Sequence, residues 1–132
     1  MGAKTKGTGA ERELVHLFWK QNWAASRVAG SGSIGYPVPD ILAGKDKRQL
    51  AIECKCTKSD SQYLTKEEVA DLRKFAAITG AEPLIAVRFA REEWRFLHPD
   101  ALDVTPTQFV VSKKMALEQG RVLKDVLGAK GI

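Results

Sequence analysis

Cysteine is nearly absent from this chain, with only Cys54 and Cys56 in 132 residues. They stand two apart, and neighbours on one strand face rarely reach disulfide geometry. A stapled secreted scaffold is therefore excluded, and both read as reduced core residues. Histidine is as scarce. His16 and His98 stand at no ligand spacing from the cysteines, which removes a zinc centre. No run of about 18 apolar residues exists for a membrane span. The segment Met1-Gly2-Ala3-Lys4-Thr5-Lys6-Gly7 lacks the apolar region of a signal peptide, and Lys6 stands where a myristoylation signal needs Ser or Thr. The expectation is a cytoplasmic protein without membrane contact. Internal repeats and low-complexity linkers are also missing. Residues 1–132 are expected to form a single domain, long enough for a core of its own.

What is present is an ordinary globular balance with a basic excess. Twenty-one Lys and Arg against 16 Asp and Glu give a net charge of +5, which favours a polyanionic partner and places nucleic acid first. Thr8-Gly9-Ala10-Glu11 fits a capping box. Ala10, Leu14, Leu17 and Phe18 follow at helical spacing, so a helix is expected from 9 to about 21. Residues 23–29 read as a short strand, 30–39 as a loop, and 40–43 with 49–56 as a hairpin. Thr65-Lys66-Glu67-Glu68 is a second capping box, opening a helix that Gly80 ends. Residues 83–89 and 94–98 read as paired strands, 107–111 as an edge strand, and 121–127 as a closing helix. This order implies an α/β (α+β mixed) fold, a mixed sheet flanked by helices.

Chemistry concentrates at Asp40 and at Glu53-Cys54-Lys55. Side chains alternate across a strand, so Glu53 and Lys55 share one face while Ile52, Cys54 and Cys56 share the other. With residues 45–48 as the hairpin loop, Gly44 faces Gln49, Leu42 faces Ala51, and Asp40 faces Glu53. Directly opposed residues have Cβ atoms roughly 4.5–5.5 Å apart. Two carboxylates that close repel unless a cation lies between them, and Mg²⁺ takes oxygen ligands of this kind. Structural roles stand beside this reading: Asp40 as a turn residue after Pro39, Glu53 and Lys55 as a cross-strand ion pair. The apolar Leu42, Leu50 and Ala51 argue against a fully exposed face. Glu11 fits a helix cap or a third carboxylate at the site. Lys4, Lys6, Arg12 and Arg27 are candidate phosphate contacts. Trp19, Trp23 and Trp94 read as core or subunit contacts rather than base-stacking platforms. The run Gly30-Ser31-Gly32-Ser33-Ile34-Gly35 matches the dinucleotide fingerprint only formally. Pro37 and Pro39 keep the chain extended where that motif must open a helix.

Pro39-Asp40 followed by Glu53-x-Lys55 resembles the PD-(D/E)xK nuclease motif. With Ala10-Glu11-Arg12-Glu13-Leu14, Arg27-Val28-Ala29-Gly30-Ser31, Ile52-Glu53-Cys54-Lys55 and Trp94-Arg95-Phe96, nearly the whole chain is similar to the archaeal Holliday-junction resolvase family. The resemblance implies a restriction-endonuclease-like fold, a homodimer, and Mg²⁺-dependent symmetric cutting of four-way DNA junctions, with Mn²⁺ as a substitute ion. By that likeness Glu11, Asp40 and Glu53 bind metal and Lys55 assists the reaction. Arg12 and Arg27 match basic positions of the family, and Ser31 a loop serine near the scissile phosphate. One departure is that the loop 30–39 carries no Lys or Arg. A duplex or flap nuclease, and a non-catalytic DNA-binding module on the same scaffold, are the rival readings. Accessory replication or repair partners are not legible in the residues.

Overall fold

Residues 48–57 alternate between two apolar layers, and the molecule is built around that alternation. The computed structural model describes residues 2–128. The elements run α1 (Gly2–Lys20), β1 (Ala24–Arg27), β2 (Ile41–Lys45), β3 (Arg48–Thr57), β4 (Ser61–Thr65), α2 (Lys66–Thr79), β5 (Glu82–Phe89), β6 (Arg95–Leu97), β7 (Asp103–Val104), β8 (Gln108–Ser112), α3 (Lys113–Gln119) and α4 (Leu123–Gly128). Five strands form a mixed sheet in the order β1-β2-β3-β5-β6. The β1–β2–β3 steps are antiparallel, β3 and β5 are parallel, and β6 returns antiparallel to β5. Leu50 and Ile52 of β3 face the layer of Leu14 and Phe18 from α1, together with Trp23, Phe96 and Val126. Ala51 lies in the opposite layer, with Val69 and Leu72 from α2 and with Leu64 and Val111. The expected mixed sheet flanked by helices is the observed architecture.

Local chemistry explains most boundaries. Thr65 Oγ1 accepts from the Glu68 N–H while the Glu68 carboxylate accepts from the Thr65 N–H, which starts α2 as a capping box. Gly80 closes the helix at φ 81°, a left-handed turn that suits glycine. The hairpin register follows the expectation, with Leu42 opposite Ala51 and Gly44 opposite Gln49. Its loop is shorter than four residues, because Lys45 pairs with Arg48 and Asp46 makes the turn at φ 54°. Arg48 then ties three elements together: its guanidinium donates twice to Glu82 at 2.9 Å and once to the Val126 carbonyl, over the Trp23 ring.

Three expectations change. α1 begins at Gly2 rather than near residue 9. No proline interrupts residues 2–9, so helical bonding continues upstream of the Thr8–Glu11 pattern; the side chains of Lys4, Lys6 and Thr8 lie outside the described residues. The strand expected at 107–111 is not an edge of the main sheet. As β8 it is the middle of a second, three-stranded sheet, β4-β8-β7. Finally, α3 was not expected. It is a seven-residue helix capped by Ser112, whose hydroxyl accepts the Met115 N–H at 3.0 Å.

Candidate active site

The parity of β3 sets the site. Cys54 packs toward the α1 layer, so Glu53 and Lys55 project with Ala51 toward α2. Asp40 enters from just before β2. Its N–H donates to the Ile52 carbonyl at 3.0 Å although Ile41 is the Cα partner of Ile52. Two residues thus oppose one, the arrangement of a β-bulge, and this corrects the expected direct pairing of Asp40 with Glu53. The bulge re-aims the carboxylate. Asp40 Oδ2 accepts the Cys54 N–H at 2.9 Å, and Oδ1 accepts the Ser31 hydroxyl at 2.6 Å. Ser31 opens a single 3-10 turn over Ser31–Ser33, so the glycine run forms no α-helix that could hold a dinucleotide.

Asp40 and Glu53 nonetheless line one cleft, close enough for the charge of one to act on the other. Burial, and next the charge of Asp40, push the Glu53 carboxyl up to about 9. Glu11 comes from α1, in the opposite layer, and stands 3.4 Å from Arg27 Nε. Burial and then Asp40 raise it to about 7, against the opposing pull of Arg27 and Lys55. Glu11 is therefore coupled to Asp40 but engaged by Arg27. Arg12, its neighbour, is exposed on α1. No group of three or more His, Cys, Asp and Glu side chains stands at metal-holding distances among the described residues. Asp40 and Glu53 offer hard oxygen donors that repel when both are ionised, a donor set that suits a divalent cation.

Lys55 Nζ donates to Glu68 Oε2 at 2.6 Å. Burial alone would lower the lysine, but the Glu68 hydrogen bond and the charges of Glu68, Glu53 and Asp40 outweigh it and hold Lys55 above its usual value. Burial would likewise raise Glu68, and the donors on Lys55 and Thr65 reverse that. Ser31, Tyr36, Asp40, Glu53, Glu68 and Asp71 line a polar cleft of about 460 Å³. Glu68 was read from sequence only as a helix cap. Its second role depends on α2 lying across β3, and no local pattern carries that. Of the tryptophans, Trp23 and Trp94 are buried, whereas Trp19 is 58 % exposed and donates its indole N–H to the Ala25 carbonyl, so it is not a core residue.

The family model described as archaeal Holliday junction resolvase (hjc) matches residues 2–131. A protein of Archaeoglobus fulgidus named crossover junction endodeoxyribonuclease Hjc is 42% identical over 112 residues, spanning 85% of this chain and 82% of its own. A protein of the same name from Methanocaldococcus jannaschii is 32% identical, over 83% of this chain and 78% of its own. A crossover junction endodeoxyribonuclease Hje from Saccharolobus islandicus is 38% identical over 70% of this chain and 71% of its own. The solved structure of Archaeoglobus fulgidus Hjc, described as a Holliday junction resolvase from an archaeal hyperthermophile, superposes with a TM-score of 0.85 at 38% identity. That match covers 93% of this chain and 96% of the other.

Proposed function

Because this chain belongs to the archaeal Holliday junction resolvase family, we propose that it is a Mg²⁺-dependent crossover junction endodeoxyribonuclease, a single nuclease domain that resolves four-way DNA junctions in recombination and repair. The observation that carries the site is the cleft shared by Asp40 and Glu53, with Lys55 on the same strand face as Glu53. Asp40 and Glu53 would hold the cation, with Glu11 beside Asp40 as a third carboxylate. Mg²⁺, or Mn²⁺ in its place, supplies Lewis acidity toward a phosphoryl oxygen and a bound water of lowered pKa. The protein's own part is positioning. Ser31 and the Cys54 N–H hold both oxygens of Asp40, fixing its orientation while lone pairs remain for the cleft. Lys55 stabilises charge developing on the phosphate or orients the attacking water. Ser31 lines the cleft, and its one hydroxyl proton would reach a bound phosphate only by leaving Asp40. Lys4, Lys6, Arg12 and Arg27 serve as phosphate contacts, which position DNA without reading its sequence.

Paired nicks follow from a C₂ homodimer, which presents two identical sites to a nearly symmetric junction. No helix among the described residues is long and apolar enough to cross a membrane.

The test is cleavage of labelled four-way junctions, duplexes and flaps with Mg²⁺, with Mn²⁺ and with a chelator, beside sedimentation analysis for the dimer. Symmetric nicks in opposed junction arms, lost with chelator, are expected. Equal cutting of plain duplex would remove the resolvase reading, and binding with no product would leave a DNA-binding module. Lys55→Ala is expected to keep junction affinity while lowering the single-turnover rate.

A further inference from the structure

The Glu68 carboxylate uses its two oxygens for two different elements. Oε1 accepts the Thr65 N–H at 2.8 Å, closing the capping box of α2. Oε2 accepts the Lys55 ammonium at 2.6 Å. The Glu68 backbone N–H returns to Thr65 Oγ1 at 2.9 Å, so both ends of the residue are fixed by the helix start. A side chain tethered this way cannot drift, and the cation it holds is confined as well. Lysine carries a flexible stem with about 2 kcal/mol of rotamer freedom, so an unheld ammonium would sample the cleft rather than one position in it. Glu68 itself lines that cleft, beside Asp40 and Glu53.

We propose that Glu68 is a positioning residue for strand scission: through the α2 cap it fixes the Lys55 ammonium over the Asp40–Glu53 face, without itself touching the scissile phosphate. The inference rests on the nuclease reading and on the role of Lys55 in it. It assigns to the second capping box a catalytic consequence that helix stability alone does not contain. Substitution by Gln separates the two roles, because glutamine also serves at this capping-box position. The amide offers one acceptor oxygen where the carboxylate offers two. E68Q can therefore keep the helix start while releasing the lysine.

The test is a double-mutant cycle of single-turnover rates on a labelled four-way junction with Mg²⁺: wild type, E68Q, K55A and both together. Misplacing a reacting group by an ångström can slow catalysis by roughly a hundredfold, and E68Q in the wild-type background is expected to lose roughly ten- to a hundredfold. Junction affinity and thermal midpoint should stay near wild type. In the K55A background E68Q should change the rate less than about twofold, because nothing remains to be held. NMR relaxation of the labelled Lys55 ε-methylene supplies a readout apart from activity: ordered in wild type, mobile in E68Q. Equal losses in both backgrounds, or an ε-methylene as ordered in E68Q as in wild type, would overturn the positioning role and leave a structural cap. A wild-type enzyme that cuts no junction would instead sink the nuclease reading, taking this inference with it. A K55A variant that cuts at the wild-type rate would remove the lysine's role and the inference with it.

Discussion

Glu53 is buried and also faces the charge of Asp40, and this has a measurable consequence in the absence of metal. The folded-state value of Glu53 is raised to about 9 from an ordinary 4.5. Between those values the native protein binds more protons than the unfolded chain, so stability must fall as pH rises through that window. Below it, both states are protonated and nothing is lost. Glu53→Gln removes the titration. With chelator present, the variant is expected to melt above the wild type at pH 8 and to show a flatter pH–stability curve from pH 5 to 9, while cutting is abolished. Parallel curves for the two proteins would show that neither burial nor Asp40 disfavours the Glu53 carboxylate in the fold. At this scale the sequence was legible through strand parity: Glu53 and Lys55 share a face, and Asp40 and Glu53 line one cleft. It was silent on the bulge at Asp40, because two residues opposing one is a property of the paired strand and not of the local run.

Elements with strong punctuation were recovered from sequence almost to the residue. The capping box at Thr65 and the glycine at 80 bound α2 as expected, and the strand expected at 83–89 is β5, Glu82–Phe89. β4 and α3 were missed for different reasons. Ser61–Thr65 has only Leu64 buried, and its partner β8 lies far along the chain, so its pairing is non-local. Lys113–Gln119 spans less than two turns, too short for a periodic signal. Two predictions belong here. Thr65→Ala removes the hydroxyl acceptor of the Glu68 N–H and should destabilise by about 1 kcal/mol, read as a lower urea midpoint at unchanged slope. Gly120 sits where α3 turns back toward β6. A Cβ there would meet the Ala116 carbonyl oxygen at 2.4 Å and Arg95 Cβ at 3.0 Å. Gly120→Ala is expected to destabilise by about 1–3 kcal/mol through overpacking. It should also disturb the adjacent Phe96–Arg121 bridge, which amide exchange at Phe96 would report.

For the whole molecule, two apolar layers share one sheet, and Arg48 bolts the base of that sheet to α4. Net charge acts at this scale. Arg12→Ala removes an exposed cation proposed to touch phosphate and should weaken junction binding across sequences. The slope of log affinity against log salt should become shallower by roughly 1. An unchanged slope, measured by titration at several salt concentrations, would place Arg12 off the DNA.

The sequence by itself determined the sheet-and-helix architecture, the hairpin register and the presence of two carboxylates and a lysine in one neighbourhood, because periodicity, caps and turn residues are local and additive. Only the tertiary structure decided that Asp40 is aimed by Ser31 and the Cys54 amide, that Glu11 of α1 is engaged by Arg27 of β1, and that the α2 cap reaches Lys55. Each of these depends on where separate elements pack, and packing is fixed by the two buried layers as a whole rather than by any one segment.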